Sequence, residues 1–268
     1  MTQSTKQAPA AKNAESGFTL VELAIVMIII GLLIGGILKG QELINNARLS
    51  STVAQTKAIE SGVSGFRDKY GAMPGDLLGP IARLPNCAAS SLCAGSAGGI
   101  GNGDGFVQTA TANNPGAVAT LGTHEAASAL AQLGSAGFVG GMTLQGTTLG
   151  NGISHPTTPL GGVWNFGYSD GVVAPTAATG TALAFLPGHY IVAANAAGAV
   201  AAAGTVPFTP AQAASIDRKL DDGQPNTGSV RGLGAATAAT TCANLATVAG
   251  VYQEANVGNI CGLYVKVQ

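Results

Sequence analysis

Gly17, Phe18 and Glu22 are the residues whose types and spacing invite chemistry. Cleavage between Gly17 and Phe18 would leave a new α-amino group on Phe18, four residues before Glu22. Glu22 is the single charge between Phe18 and Leu38. A carboxylate in such surroundings costs on the order of 2.5 to 3.5 kcal/mol at mid-bilayer and less near the interface, so it needs a named counterion. The Phe18 amine of the same chain is one candidate and that of a neighbouring copy is the other. In the intermolecular arrangement each added copy neutralises a buried charge on the one before it. That drives ordered polymerisation in an apolar medium, where a lone charge is strongly penalised.

Other candidate groups are fewer. Cys87, Cys93, Cys242 and Cys261 all follow the apolar run, and an even cysteine count beyond a membrane anchor points to disulfides in an oxidising compartment. Three connectivities are open, with Cys87–Cys93 and Cys242–Cys261 favoured by proximity. Zinc is disfavoured, since no Cys-x-x-Cys pair exists and no His lies near a Cys. Gly101-Asn102-Gly103-Asp104-Gly105 reads as a tight turn, with Asn102 and Asp104 as weak Ca²⁺ candidates. Asp217, Asp221 and Asp222 with Arg218, Lys219 and Arg231 form the densest charged cluster after the helix. There carboxylates at a helix end are expected to bond loop amides or pair with Arg231, with Ca²⁺ at Asp221 and Asp222 the competing reading. No cofactor is expected. His124, His155 and His189 are scattered, and neither a zinc-protease helix, a nucleophile elbow nor a phosphate loop occurs. No catalysis is read from the chain.

Gly17-Phe18-Thr19-Leu20-Val21-Glu22 resembles the class III signal of type IV prepilins and related pseudopilins. That pattern is a short polar leader ending in Gly, then Phe-Thr-Leu-(Ile or Val)-Glu and an apolar helix, and every position matches. The resemblance implies cleavage after Gly17 by a prepilin peptidase, methylation of the Phe18 amine and a role for Glu22 in assembly. It also implies a homo-oligomeric helical filament and an inner-membrane assembly platform as partners. The precursor would sit in the inner membrane and the product on the bacterial cell surface. The function implied is a structural subunit of a type IV pilus-like filament supporting adhesion, motility or DNA uptake. The alternative is a pseudopilin of a type II secretion system. The major pseudopilin family usually carries a C-terminal Asp-Pro-Trp-Gly stretch, whereas Trp164, the only Trp, sits in Gly-Val-Trp-Asn.

These groups need elements to position them. Residues 1–17 are polar, with Lys6, Lys12 and Glu15, and lack an apolar core, so they do not form an ordinary secretory signal. The two lysines favour a cytoplasmic leader, which puts the remainder across the membrane. Residues 18–38 are long enough as a helix to span roughly 30 Å. Gly31, Gly35, Gly36 and Gly40 weaken the helix by about 1 kcal/mol each, and Gly31 with Gly35 makes a Gly-x-x-x-Gly pair suited to close helix packing. Part of this helix is often melted in filaments of the resembling family, so Gly31 to Gly40 is the expected extensible stretch.

From Gln41 to Tyr70 apolar residues recur at helical spacing, through Ile59, Val63 and Phe66, and Gly71 and Pro74 end the helix. Further short helices are expected over His124 to Phe138 and, after the Thr209-Pro210-Ala211-Gln212 start, to about Leu220 with Gly223 as the cap. Strands are expected at Gly162–Tyr168, His189–Ala193 and Gly262–Val267. The fold class is therefore α+β and type IV pilin-like. A cleaved leader (1–17) precedes a long N-terminal helix (18–70) packed on a globular head (71–268). The head has an antiparallel sheet, short helices and long Gly/Ala/Thr-rich loops.

Composition narrows the function classes. Charged residues make up 9 % of the 268, against about 25 % in ordinary soluble domains, and net charge is −1. Between Gly71 and Val206 only Asp76, Arg83, Asp104, Glu125 and Asp170 are charged. This surface is suited to being covered by other subunits or by sugar, and nothing in it predicts direct nucleic-acid binding. There is no Asn-x-Ser/Thr sequon.

Overall fold

The computed structural model describes residues 17, 19–87, 92–94, 101–109, 115, 119–171, 185–199, 206–232, 242–244 and 250–267. Residues 1–16, which make up nearly all of the expected leader, and Phe18 lie outside the described residues. Contacts divide the chain into two units, Met1–Asn45 and Asn46–Gln268.

The first unit holds the apolar part of helix α1 (Leu20–Tyr70, 51 residues). Its mean hydropathy reaches 2.8 over an 18-residue window, none of which is buried, so it is long and apolar enough to cross a membrane. Leu20, Ile25, Ile28, Leu32 and Leu38 all present apolar surface. Helical hydrogen bonding is continuous through Gly31, Gly35, Gly36 and Gly40. The glycines take helical backbone angles like their neighbours, at an entropic cost of about 1 kcal/mol each.

In the second unit the rest of α1 turns one stripe inward. Leu49, Thr52, Thr56, Ile59, Val63 and Phe66 are buried, at steps of three or four residues that keep them on one face, with Gly62 beside Val63. Thr52 and Thr56 hide their hydroxyls by donating to the carbonyls of Arg48 and Thr52, four residues back, at 2.9 Å each. The Phe66 ring lies tilted 4.7 Å from Tyr70 and meets the Phe138 ring edge-on at 6.3 Å. Gly62 and Gly65 lie where Phe138 and Val139 press closest, and a Cβ on Gly65 would fall 2.8 Å from the Phe138 ring. The helix ends as expected at Gly71, with φ 68° and its N–H bonded to Arg67 O.

The sheet runs in the order β1–β2–β6–β3, all antiparallel: β1 Val163–Ser169, β2 Gly188–Ala194, β6 Leu263–Lys266 and β3 Val230–Gly232. The registers Phe166↔Ile191↔Val265↔Val230 align one apolar row across all four strands. Trp164 is fully buried beside Phe208, 6.1 Å away. Three strands match the sequence expectation to within a residue or two. A fourth, β3, and the small pair β4 (Ala243–Asn244) and β5 (Val251–Tyr252) were not anticipated.

Among the described residues the unit also holds three short helices: α2 (Pro80–Arg83), α3 (Ala126–Ser135) and α4 (Pro210–Leu220). α4 carries the expected capping box, with Thr209 Oγ1 accepting from Gln212 N and Gln212 Oε1 accepting from Thr209 N. It closes at Asp221 rather than at Gly223, which lies two residues further with φ 76°. Among the described residues the helices and the main sheet make an α+β, pilin-like arrangement.

Candidate functional site

The N-terminal motif begins with a capping box of its own. Thr19 N and Thr19 Oγ1 both donate to Glu22 Oε2 at 2.9 Å, and Glu22 N donates to Thr19 Oγ1 at 3.3 Å. Helix α1 starts at the next residue, so Thr19 and Glu22 each satisfy the other's backbone amide at the helix start. Sequence reasoning gave Glu22 a role in assembly only. The Thr-x-x-Glu spacing at a helix start is the signal that also gives it a partner within its own chain. One oxygen, Oε2, takes both Thr19 donors, so Oε1 is left for a second partner.

Around that carboxylate the surface is apolar. Glu22, Leu23, Ile25 and Val26 line one shallow hollow. Lys39, the first cation on the helix, is nearly five turns away and is paired with Glu42 at 2.7 Å. Among the described residues Glu22 therefore has a hydrogen-bonding partner but no cation. Gly17 is exposed, and Phe18 lies outside the described residues. Gly31, Gly35, Gly36 and Gly40 have nothing within 4 Å of where a Cβ would stand, so any close packing they permit is left for another molecule.

The cysteines pair as Cys87–Cys93, Cα atoms 5.7 Å apart, and Cys242–Cys261, Cα atoms 4.9 Å apart. Gln132 of α3 braces the first bridge, its Nε2 donating to Cys93 O at 3.2 Å while its Oε1 accepts from Gly75 N at 2.7 Å.

Two groups of acids come together. In the first, Asp104 joins Asp76 and Glu125, with one oxygen from each within 4.8 Å of the others. Every carboxylate oxygen here accepts from an N–H. Asp76 takes Gly103 N (2.6 Å) and Gly105 N (2.8 Å); Glu125 takes Asn102 N and Gln108 N (3.1 Å each). Asp104 takes Phe106 N and the side-chain amides of Asn102 and Gln108. Glu125 is pushed up to about 7, by burial first, with the neighbouring charges of Asp76 and Asp104 adding to it. Sequence reasoning named Asn102 and Asp104 but not Asp76 and Glu125, which approach from other parts of the chain.

In the second group Asp217, Asp221 and Asp222 converge at the end of α4. Asp221 Oδ2 accepts from Ser229 N, Ser229 Oγ and Val230 N, and Asp222 accepts from Gln224 N and Thr227 Oγ1. The buried Asp217 accepts from Tyr252 O–H at 2.8 Å and Gly223 N at 3.2 Å, and burial pushes it up to about 7. The expected pairing with Arg231 is not made, because its guanidinium donates to Asn226 O at 2.7 Å instead. Arg218 pairs with Glu254. Both groups thus hold loops through backbone amides.

His124, next to Glu125 in the chain, accepts from Thr120 N through its Nδ1 at 3.0 Å. His155 is fully buried, held by Ser154 Oγ at 2.8 Å from its Nδ1, and burial pushes it down to about 4. A pair sealed from solvent in this way has no access to a substrate.

No curated protein and no solved structure matches the chain. Residues 12–38 match the family model of the prokaryotic N-terminal methylation motif, so the chain carries a type IV prepilin-like leader and the apolar helix that follows it.

Proposed function

We propose that this chain is the structural subunit of a type IV pilus-like extracellular filament. Prepilin peptidase cuts after Gly17, the Phe18 amine is methylated, and the apolar part of α1 then polymerises. One observation supports this above the rest: the exposed apolar part of α1 carries a lone carboxylate, Glu22, beside the processing motif and, among the described residues, without a cation. Before assembly the bilayer covers that helix; afterwards other copies of it do. A neighbour's Phe18 amine brings the missing charge to Glu22, and charge complementarity at a desolvated contact selects register as well as affinity. Gly31, Gly35, Gly36 and Gly40 permit close approach there and give the stretch that melts when the filament is extended. The head serves adhesion, motility or DNA uptake, and this reading includes no catalytic role.

Intact-mass analysis of surface fibres tests the reading. The expected subunit begins at a methylated Phe18. Fibres that lack this chain, or that hold it with residues 1–17 still attached, overturn it. Loss of protein secretion on deletion of this chain, with normal surface fibres, points instead to a secretion pseudopilin.

A further inference from the structure

Asparagine followed by glycine occurs twice in the chain, each time inside the same tripeptide: Gly101-Asn102-Gly103 and Gly150-Asn151-Gly152. Such a pair is prone to self-modification, because the glycine nitrogen can approach the asparagine amide carbon with no Cβ in the way. Identical neighbours give the two pairs the same intrinsic chemistry. Their settings in the fold differ.

Both asparagines are exposed. Asn151 is tied to a remote loop by both ends of its amide: Oδ1 accepts from Ala197 N at 3.0 Å, and Nδ2 donates to Asn195 O at 3.1 Å. Gly152 N donates to His155 O at 2.7 Å. For the Asn151 carbon to reach Gly152 N, both long-range bonds must break. Among the described residues, the Asn102 side chain bonds only within its own turn. Its Oδ1 accepts from Asp104 N and its Nδ2 donates to Asp104 Oδ2, both at 2.8 Å. The first of these bonds closes a ring that runs through Cγ of Asn102 and N of Gly103, so electrophile and nucleophile share one small turn. The Asp104 N–H is also placed to stabilise the negative charge that grows on Oδ1 when Cγ is attacked.

A base is in place as well. Gly103 N donates to Asp76 Oδ1 at 2.6 Å, and Asp76 is 1 % exposed and fixed by a second bond from Gly105 N at 2.8 Å. An amide N–H lies in the peptide plane and the reacting π electrons stand out of it, so this bond does not block attack by the nitrogen. A carboxylate within hydrogen-bond reach of the proton it removes meets the geometric condition for general-base catalysis.

We propose that Asn102 is a self-modification site, at which Gly103 N displaces the side-chain amide with Asp76 as the base. The bond from Gly103 N to Cγ forms and the Cγ–Nδ2 bond breaks. The proton that Asp76 takes from the nitrogen leaves with the departing ammonia. The product is a cyclic imide. Water then opens it on either side, leaving aspartate or isoaspartate at 102, with no oxidant or reductant needed. The new carboxylate stands where an N–H donor met Asp104 Oδ2. It adds a like charge to Asp76, Asp104 and Glu125 and so loosens the turn. The modification is independent of the filament reading.

The test holds the full-length chain in detergent micelles at neutral pH and digests samples at intervals. Mass spectrometry of the two peptides follows conversion of amide to carboxyl. In the folded protein Asn102 is expected to convert about tenfold faster than Asn151, or more. In denaturant the two rates should come together, since the tripeptides are identical. Asp76→Asn is expected to slow conversion of Asn102 by about tenfold or more. Its melting curve shows whether it folds; if it does not, the folded and denatured wild type decide the matter alone. Equal rates in the folded protein, a gap that survives denaturation, or an unchanged Asn102 rate in folded Asp76→Asn overturns the proposal.

Discussion

Gln55 and Trp164 join helix α1 to the sheet through both ends of one amide. Trp164 Nε1 donates to Gln55 Oε1 at 3.0 Å, and Gln55 Nε2 donates to Thr157 O at 2.9 Å. The indole is otherwise fully buried. Removing Gln55 would strand its N–H in the core, at a cost of about 1–3 kcal/mol.

Gln55→Leu should therefore lower the melting midpoint by several degrees, at roughly 2–4 °C per kcal/mol for a chain of this size. Gln55→Glu keeps the acceptor for Trp164 and loses only the donor to Thr157, so it should lower the midpoint less. Fluorescence of the single tryptophan reads both directly. Equal effects of the two substitutions would remove the indole bond as the reason.

The acid groups should behave as loop anchors. Neither millimolar Ca²⁺ nor a chelator is expected to move the melting midpoint, since the oxygens are engaged by N–H donors. An ion present at 100 times its Kd would add about 2.7 kcal/mol and shift the midpoint by several degrees. Such a shift contradicts the anchoring role.

Glu125 makes stability depend on pH with a definite sign. Its carboxyl titrates near 7 in the fold against an ordinary value of 4.5, so the fold favours the protonated form. Stability from this group is present below 4.5 and is lost as pH rises through 7. His155 acts oppositely: held down to about 4, it loses stability as pH falls below 6.5. The two offset one another between those values, so the wild-type curve alone is a poor reporter. Glu125→Gln cannot ionise. Its melting midpoint relative to wild type should therefore climb steadily between pH 4.5 and 7. A difference that stays flat would show that Glu125 is not perturbed.

How much of this the sequence carried depended on the range of each interaction. The motif from Gly17 to Glu22 was readable because its chemistry lies within six consecutive residues. Helix α4 was readable because its cap is local, and β1, β2 and β6 because alternation marks a strand with one packed face. β3 was missed because Val230–Gly232 is too short to show a period, and β4 and β5 are shorter still. Gln55 reads in sequence as a solvated position on an amphipathic helix. Its partner lies 109 residues away, and only tertiary packing brings the two together. Asp76 and Glu125 were hidden for the same reason, separated from the glycine-rich turn they hold.

Helical reconstruction of the native fibre tests the pairing of Glu22 most directly. The account expects the Glu22 carboxylate within about 4 Å of the Phe18 amine of an adjoining subunit, buried among apolar side chains. A Glu22 bathed in solvent, or with only its own Thr19 for a partner, would contradict it.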